Sequence, residues 1–186
     1  MSVEKSEGKN EVEYYVEFEI SGEGLRKVKK VQMEAPDGRS ELVQNPLGFD
    51  DLHLQRDGMT YADLIKKFPE GKYSIKFSPS KFRGISFNLT YDFPSTPVIT
   101  YPKDGATEVP LSFTITWESV SDIDGLQLNI EDLLSVDLAV GSTSFSVPGG
   151  LLQQNTWYSM ELIARKSSNE NEMLSKRPID FTTGSE

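Results

Sequence analysis

Leu152-Gln153-Gln154-Asn155-Thr156-Trp157-Tyr158-Ser159-Met160-Glu161-Leu162-Ile163-Ala164 decides the fold. From Trp157 onward the residues alternate, with Tyr158, Met160, Leu162 and Ala164 on one face and Trp157, Ser159, Glu161 and Ile163 on the other. A period of two over eight residues predicts a β-strand with one buried side. The polar run Gln153 to Thr156 supplies the turn that precedes it.

Working outward from this strand, residues 98–186 divide into seven strand-sized pieces separated by turn signals. Val98 to Pro102 is followed by the turn Lys103-Asp104-Gly105-Ala106, and Phe113 to Trp117 by Ser119 to Gly125. Leu126 to Ile130, Val136 to Val140, Ser144 to Val147, Trp157 to Ala164 and Pro178 to Thr182 complete the set, a spacing expected of a β-sandwich.

The segment 152–164 resembles the fibronectin type III stretch in which a Leu precedes a Tyr by six residues and apolar residues follow at two, four and six. The resemblance implies a tyrosine corner, with the Tyr158 ring in the core and its hydroxyl bonded to the preceding turn. Trp117 at the end of an alternating strand, Ser144 to Pro148 before the corner and Ile179 to Gly184 as a closing strand extend the resemblance over about 95–186. Gln154-Asn155 stands where the family usually has Pro-Gly, and Asn serves a turn as well. No Arg-Gly-Asp triplet occurs, so integrin binding has no support.

The first half reads as a second sandwich. Val12, Tyr14, Val16, Phe18 and Ile20 alternate with Glu13, Tyr15, Glu17 and Glu19, which predicts a half-buried strand. Leu25 to Ala35 and Ser40 to Gln44 follow as strands around the turn Pro36-Asp37-Gly38-Arg39, with a bend between Val28 and Val31. Residues 45–58 read as loop around the apolar Leu52 and Leu54. Thr60 as N-cap, with Tyr61, Leu64, Ile65 and Phe68 at helical spacing, predicts one short helix near 60–68 closed by Pro69. Strands from Gly71 to Phe77 and from Ile85 to Tyr91 end the half. Leu64 to Ile75, a short helix leading through Pro-x-Gly-x-Tyr into a strand, resembles a motif of bacterial secreted proteins and implies an immunoglobulin-like companion.

The expected organisation is therefore all-β, two tandem antiparallel sandwiches. It comprises a disordered tail at 1–11, a sandwich at 12–93, a Pro-containing linker at 94–97 and a fibronectin type III-like domain at 98–186. Two prolines in Phe93-Pro94-Ser95-Thr96-Pro97 predict a stiff link that makes the pair an elongated rod.

Charge narrows the function. Residues 1–95 carry 14 Lys and Arg against 16 Asp and Glu, whereas 96–186 carry 5 against 13. So acidic a second half argues against nucleic acid, which needs a positive face, and disfavours anionic membranes. No apolar run is long enough for membrane insertion. The absence of cysteine removes disulfides, thiol nucleophiles and thiolate metal sites. The start, Met1 to Glu13, is charged and has no apolar signal core. A secreted or periplasmic location, expected from the family resemblance, thus requires a signal peptide absent from this sequence.

Candidate sites are few. Ser121-Asp122-Ile123-Asp124-Gly125 opens like a calcium loop, with Glu118, Asp122 and Asp124 as oxygen ligands, but Leu126 stands where a third ligand belongs and no Glu sits at the twelfth position. A Gly-flanked acidic turn is the ordinary account. Asp50, Asp51, Asp57 and Asp63 surround the single histidine, His53, with a surface role expected. Trp157, Tyr15 and Tyr101 would point outward if Tyr14 and Tyr158 point inward, offering rings to a glycan. Arg26-Lys27-Lys29-Lys30 is expected to pair across strands with Glu17 and Glu19.

The leading expectation is a non-catalytic extracellular or periplasmic module that spaces, adheres or binds protein, with no cofactor beyond calcium at the Asp122 turn. A carbohydrate-binding accessory protein is the alternative. A hydrolase working through an acid pair is a weaker third, because no spacing brings two carboxylates or a nucleophile and base together.

Overall fold

A computed structural model describes residues 1–8, 11–168 and 171–185. In chain order the elements are β1 (Ser2–Glu7), β2 (Val12–Ser21), β3 (Lys30–Glu34), β4 (Ser40–Gln44), β5 (Asp51–Met59), α1 (Tyr61–Lys67), β6 (Gly71–Ser78) and β7 (Ile85–Leu89). There follow β8 (Ile99–Tyr101), β9 (Ala106–Val109), β10 (Thr114–Trp117), β11 (Gly125–Ile130), β12 (Leu134–Leu138), β13 (Ser144–Ser146), β14 (Trp157–Ser168) and β15 (Asn171–Thr183). The chain is all-β with one α-helix among the described residues, as its alternation predicts.

Two compact units form. The first holds Met1–Glu4, Glu13–Asp92 and Ser167–Glu172; the second holds Lys5–Val12, Phe93–Lys166 and Met173–Glu186. Residues 94–97 belong to the second unit, where the Thr96 hydroxyl accepts from Lys5 Nζ at 3.2 Å and donates to Glu7 Oε1 at 2.7 Å. The expected tail at 1–11 is overturned in part: Ser2–Glu7 is a strand and Val3 is fully buried. A single Val among charged residues gives no alternating pattern, yet it is enough when the backbone has strands to pair with. Residues 9 and 10 of that tail lie outside the described residues.

In the first unit, one sheet runs β4-β3-β6-β7 and another has β2 beside β5. Leu25, Val28, Val31 and Ile75 form one core cluster, against which Met33, Val43, Leu52, Phe77 and Phe87 pack. Aromatic rings extend it: Tyr73 stacks on Phe87 at 5.2 Å, and Phe18 lies 5.6 Å from Phe68 and 6.3 Å from Phe87. The helix starts where its cap predicts, with Thr60 Oγ1 accepting from the Asp63 N–H at 3.2 Å.

Three expectations for this half change. Residues 51–59 are strand, not loop, because Ile20 and Phe18 of β2 supply apolar partners opposite Leu52 and Leu54. The alternation then breaks at a register shift near Arg56 to Met59, where Gly58 has φ 62°, and this bulge hides the strand from a period-two reading. Residues 23–27 form a 3-10 turn, not the beginning of a strand. Lastly, β2 pairs with β5 while β3 pairs with β4 and β6, so the basic cluster has no cross-strand pairing with Glu17 and Glu19.

The second unit packs sheet β13-β10-β8 over a sheet in which β12, β11, β14 and β15 follow one another, with β9 parallel to β15. Ile115, Trp117, Leu128, Ile130, Met160, Leu162, Ala164 and Phe181 fill the space between them. The tyrosine corner is present: Tyr158 is buried and its hydroxyl accepts from the Gln153 N–H at 2.8 Å. Trp117 is buried too, its indole donating to the Ser142 carbonyl at 2.8 Å. Strand β9, of which the expected turn took in only Ala106, is the addition to the seven expected pieces.

Candidate functional site

The outward face of the larger sheet in the second unit is built by the same alternation that makes the core. In β11, Leu126, Leu128 and Ile130 point in, so Gln127 and Asn129 point out; in β14, the inward Tyr158, Met160, Leu162 and Ala164 leave Trp157, Ser159, Glu161 and Arg165 outside. Register then sets neighbours side by side, Asn129 opposite Ser135 on one flank and Glu161 on the other.

A continuous hydrogen-bonded ladder results. Gln127 Nε2 donates to Ser135 Oγ at 3.1 Å, Ser135 Oγ donates to Asn129 Oδ1 at 2.8 Å, and Asn129 Nδ2 donates to Glu161 Oε1 at 3.1 Å. Lys176 closes one end on Glu161 at 2.9 Å, and Arg165 closes the other on Gln127 Oε1. Such a face is ordered before anything binds it, which lowers the entropy cost of binding. Beside it lies an open groove of about 540 Å³ lined by Asn129, Glu131, Asp132, Leu133, Ser159 and Glu161.

Of the aromatic candidates, Trp157 is 57% exposed and shares the outward face of β14 with Ser159 and Glu161. Tyr101 is 41% exposed but sits on β8, in the opposite sheet, with its ring against Phe113 at 5.7 Å. Tyr15 belongs to the first unit, half-buried, its hydroxyl donating to Glu13 Oε2 at 2.6 Å. Trp157 and Tyr101 therefore do not make one row.

The acidic turn is also resolved. Asp122 takes a left-handed conformation, φ 58°, and its carboxylate meets Lys166 Nζ at 2.5 Å, while the Asp124 N–H donates to the Arg165 carbonyl at 2.8 Å. Glu118 is exposed after β10. Among the described residues, the group whose ligand atoms converge within 4.8 Å is another one: Glu19, Asp51 and His53, all exposed.

His53 itself is held between two carboxylates, Nε2 at 2.8 Å from Asp51 and Nδ1 at 3.2 Å from Glu17. Their hydrogen bonds, Asp51 first, raise its pKa above 6.5. Of the four aspartates grouped with it in sequence, only Asp51 is a partner: Asp50 takes Arg26, Asp57 takes Gln55 and Asp63 takes Thr60. Glu17 and Glu19 escape a sequence reading because they reach His53 only through the β2 to β5 pairing. The outward Gln127 and Asn129 were legible as polar positions of an alternating strand, but their partners on β12 and β14 were not.

No protein-family model and no curated protein matches the chain. Among solved structures, it is similar to the FN1–FN3 domains of chicken CNTN1 (15% identity, 98% of this chain and 63% of that one, TM-score 0.35). It is likewise similar to a two-domain segment of chicken tenascin (14% identity, 83% and 82%, TM-score 0.34). A third is the CbhA fibronectin(III)-like modules of Clostridium thermocellum (12% identity, 97% and 89%, TM-score 0.35). These neighbours are fibronectin type III structures. The chain spans 63% of the contactin chain's length. No helix among the described residues is long and apolar enough to cross a membrane.

Proposed function

We propose that the protein is a non-catalytic binding module of an extracellular or periplasmic protein, and that it engages a protein partner through the outward face of β12, β11 and β14. The observation that carries this reading is the pre-ordered ladder Gln127-Ser135-Asn129-Glu161-Lys176 with Trp157 standing exposed on the same face. Ladder and groove present fixed donors and acceptors, and Trp is among the side chains enriched at the energetic centres of protein interfaces. Spacing neighbouring domains is compatible with the same fold.

Carbohydrate binding is the second reading, and Trp157 favours it as well, since one flat ring beside Asn, Gln and Glu side chains suits a sugar face. An array carrying both extracellular proteins and glycans, probed with the purified protein with and without calcium, separates the two. Binding to proteins supports the first reading, retention on glycans the second, and dependence on calcium brings Asp122, Asp124 and Glu118 into the site. A blank array would contradict both.

A further inference from the structure

One end of the first unit differs in charge from the rest of the chain. There β2 runs into β3, β4 into β5 and β6 into β7: Lys30 lies opposite both Gln44 and Ser78, and Ser21 lies opposite Asp51. The three connections are bonded together, Asn45 to the Lys29 carbonyl at 2.9 Å, Lys29 to the Ser78 carbonyl at 2.7 Å, and Arg26 to Asp50 at 2.5 Å. Residues 21–30, 44–51 and 78–85 bring six basic side chains, Arg26, Lys27, Lys29, Lys30, Lys81 and Arg83, against three acidic ones, Glu23, Asp50 and Asp51. The Arg26–Asp50 pair cancels, which leaves Lys27, Lys29, Lys30, Lys81 and Arg83 against Glu23 and Asp51, the latter paired with His53. On a chain of net charge -10 this end is locally positive.

The loop at its tip is built to hold apolar groups in water. Asn45 is fully buried, its amide donating to the Leu25 carbonyl at 3.1 Å and the Phe49 carbonyl at 2.9 Å and accepting from the Phe49 N–H at 2.8 Å. Gly48 has φ 73°, and a Cβ there would sit 2.8 Å from the Arg26 carbonyl oxygen, so only glycine closes the loop this tightly. The result is that Leu47 and Phe49 stand 78% and 56% exposed on a braced support. The three Asn45 hydrogen bonds tie the loop backbone at Leu25 and Phe49.

We infer that this end docks on an anionic lipid surface, Leu47 and Phe49 entering the headgroup layer while the surrounding lysines and arginines meet lipid phosphates. The pairing of an apolar tip with a basic rim is what an interfacial membrane contact needs. Phosphates of nucleic acid would use the charge but leave the aliphatic Leu47 in water, whereas a yielding headgroup layer takes both exposed apolar side chains. This inference is independent of the face proposed above.

Sedimentation with vesicles tests it. The protein should partition onto phosphatidylcholine vesicles containing phosphatidylserine about tenfold more strongly than onto phosphatidylcholine alone, and the difference should shrink as salt rises. Leu47→Ser with Phe49→Ser should lower partitioning about tenfold, and Lys27→Glu with Lys29→Glu should abolish the lipid preference. All four positions are exposed, so folding of the variants, checked by circular dichroism, is expected to be intact. Absence of partitioning, equal binding to both vesicles, or binding indifferent to these substitutions would overturn the inference. Binding to polyglutamate without binding to vesicles would do so too, and would point to an acidic polypeptide.

Discussion

Tyr158 and Trp157 are adjacent in sequence and have opposite tasks. The Tyr158 hydroxyl satisfies the Gln153 N–H while its ring packs 5.6 Å from Phe181. Tyr158→Phe keeps the ring and orphans the donor, so urea unfolding should show a loss of about 1 kcal/mol. Leu162→Ala, which empties a fully buried site, should cost about 2–5 kcal/mol. Trp157→Ala should change stability by less than about 0.5 kcal/mol, as an exposed position away from the core. His53 tests the electrostatics: with its pKa raised by Asp51 and Glu17, any stability it contributes is complete below its unfolded value and is lost as pH rises through the folded one. An NMR titration should place its pKa above 6.5, and Asp51→Asn should lower it.

Among elements, those with clean alternation and a cap were legible from sequence, and those held by partners were not. Strand β14 reads directly because four inward residues repeat at two, and α1 reads because Thr60 and Asp63 frame it. Thr60→Ala should destabilise the first unit by about 1 kcal/mol in the same unfolding measurement. Strand β1 was invisible, since one Val among Ser, Glu and Lys carries no period; its order comes from pairing that the local sequence does not encode. Strand β5 was hidden by its bulge, and with it the His53 site, whose carboxylates arrive from β2. The outward ladder was half legible: alternation marks which residues face water, whereas the partner of each depends on register.

At the scale of the whole molecule, each compact unit is built from three separate stretches of chain. Glu7 shows what holds one such segment. Burial alone would raise its pKa, but hydrogen bonds from Lys5, Thr96 and Arg177 bring it down to about 2. Being depressed, it stabilises the fold above its unfolded value near 4.5, and that contribution is lost as pH falls towards 2. The melting temperature should therefore decline across this window, and Glu7→Gln should flatten that part of the profile. Whether a partner sits on the outward face of β12, β11 and β14 is decided by comparing Trp157→Ala with Tyr101→Ala for affinity to a ligand found on the array. Trp157→Ala should lower affinity about thirtyfold and Tyr101→Ala, whose ring lies on the opposite sheet, should leave it unchanged. Undiminished affinity in Trp157→Ala, or a loss that follows Tyr101 instead, would contradict that placement.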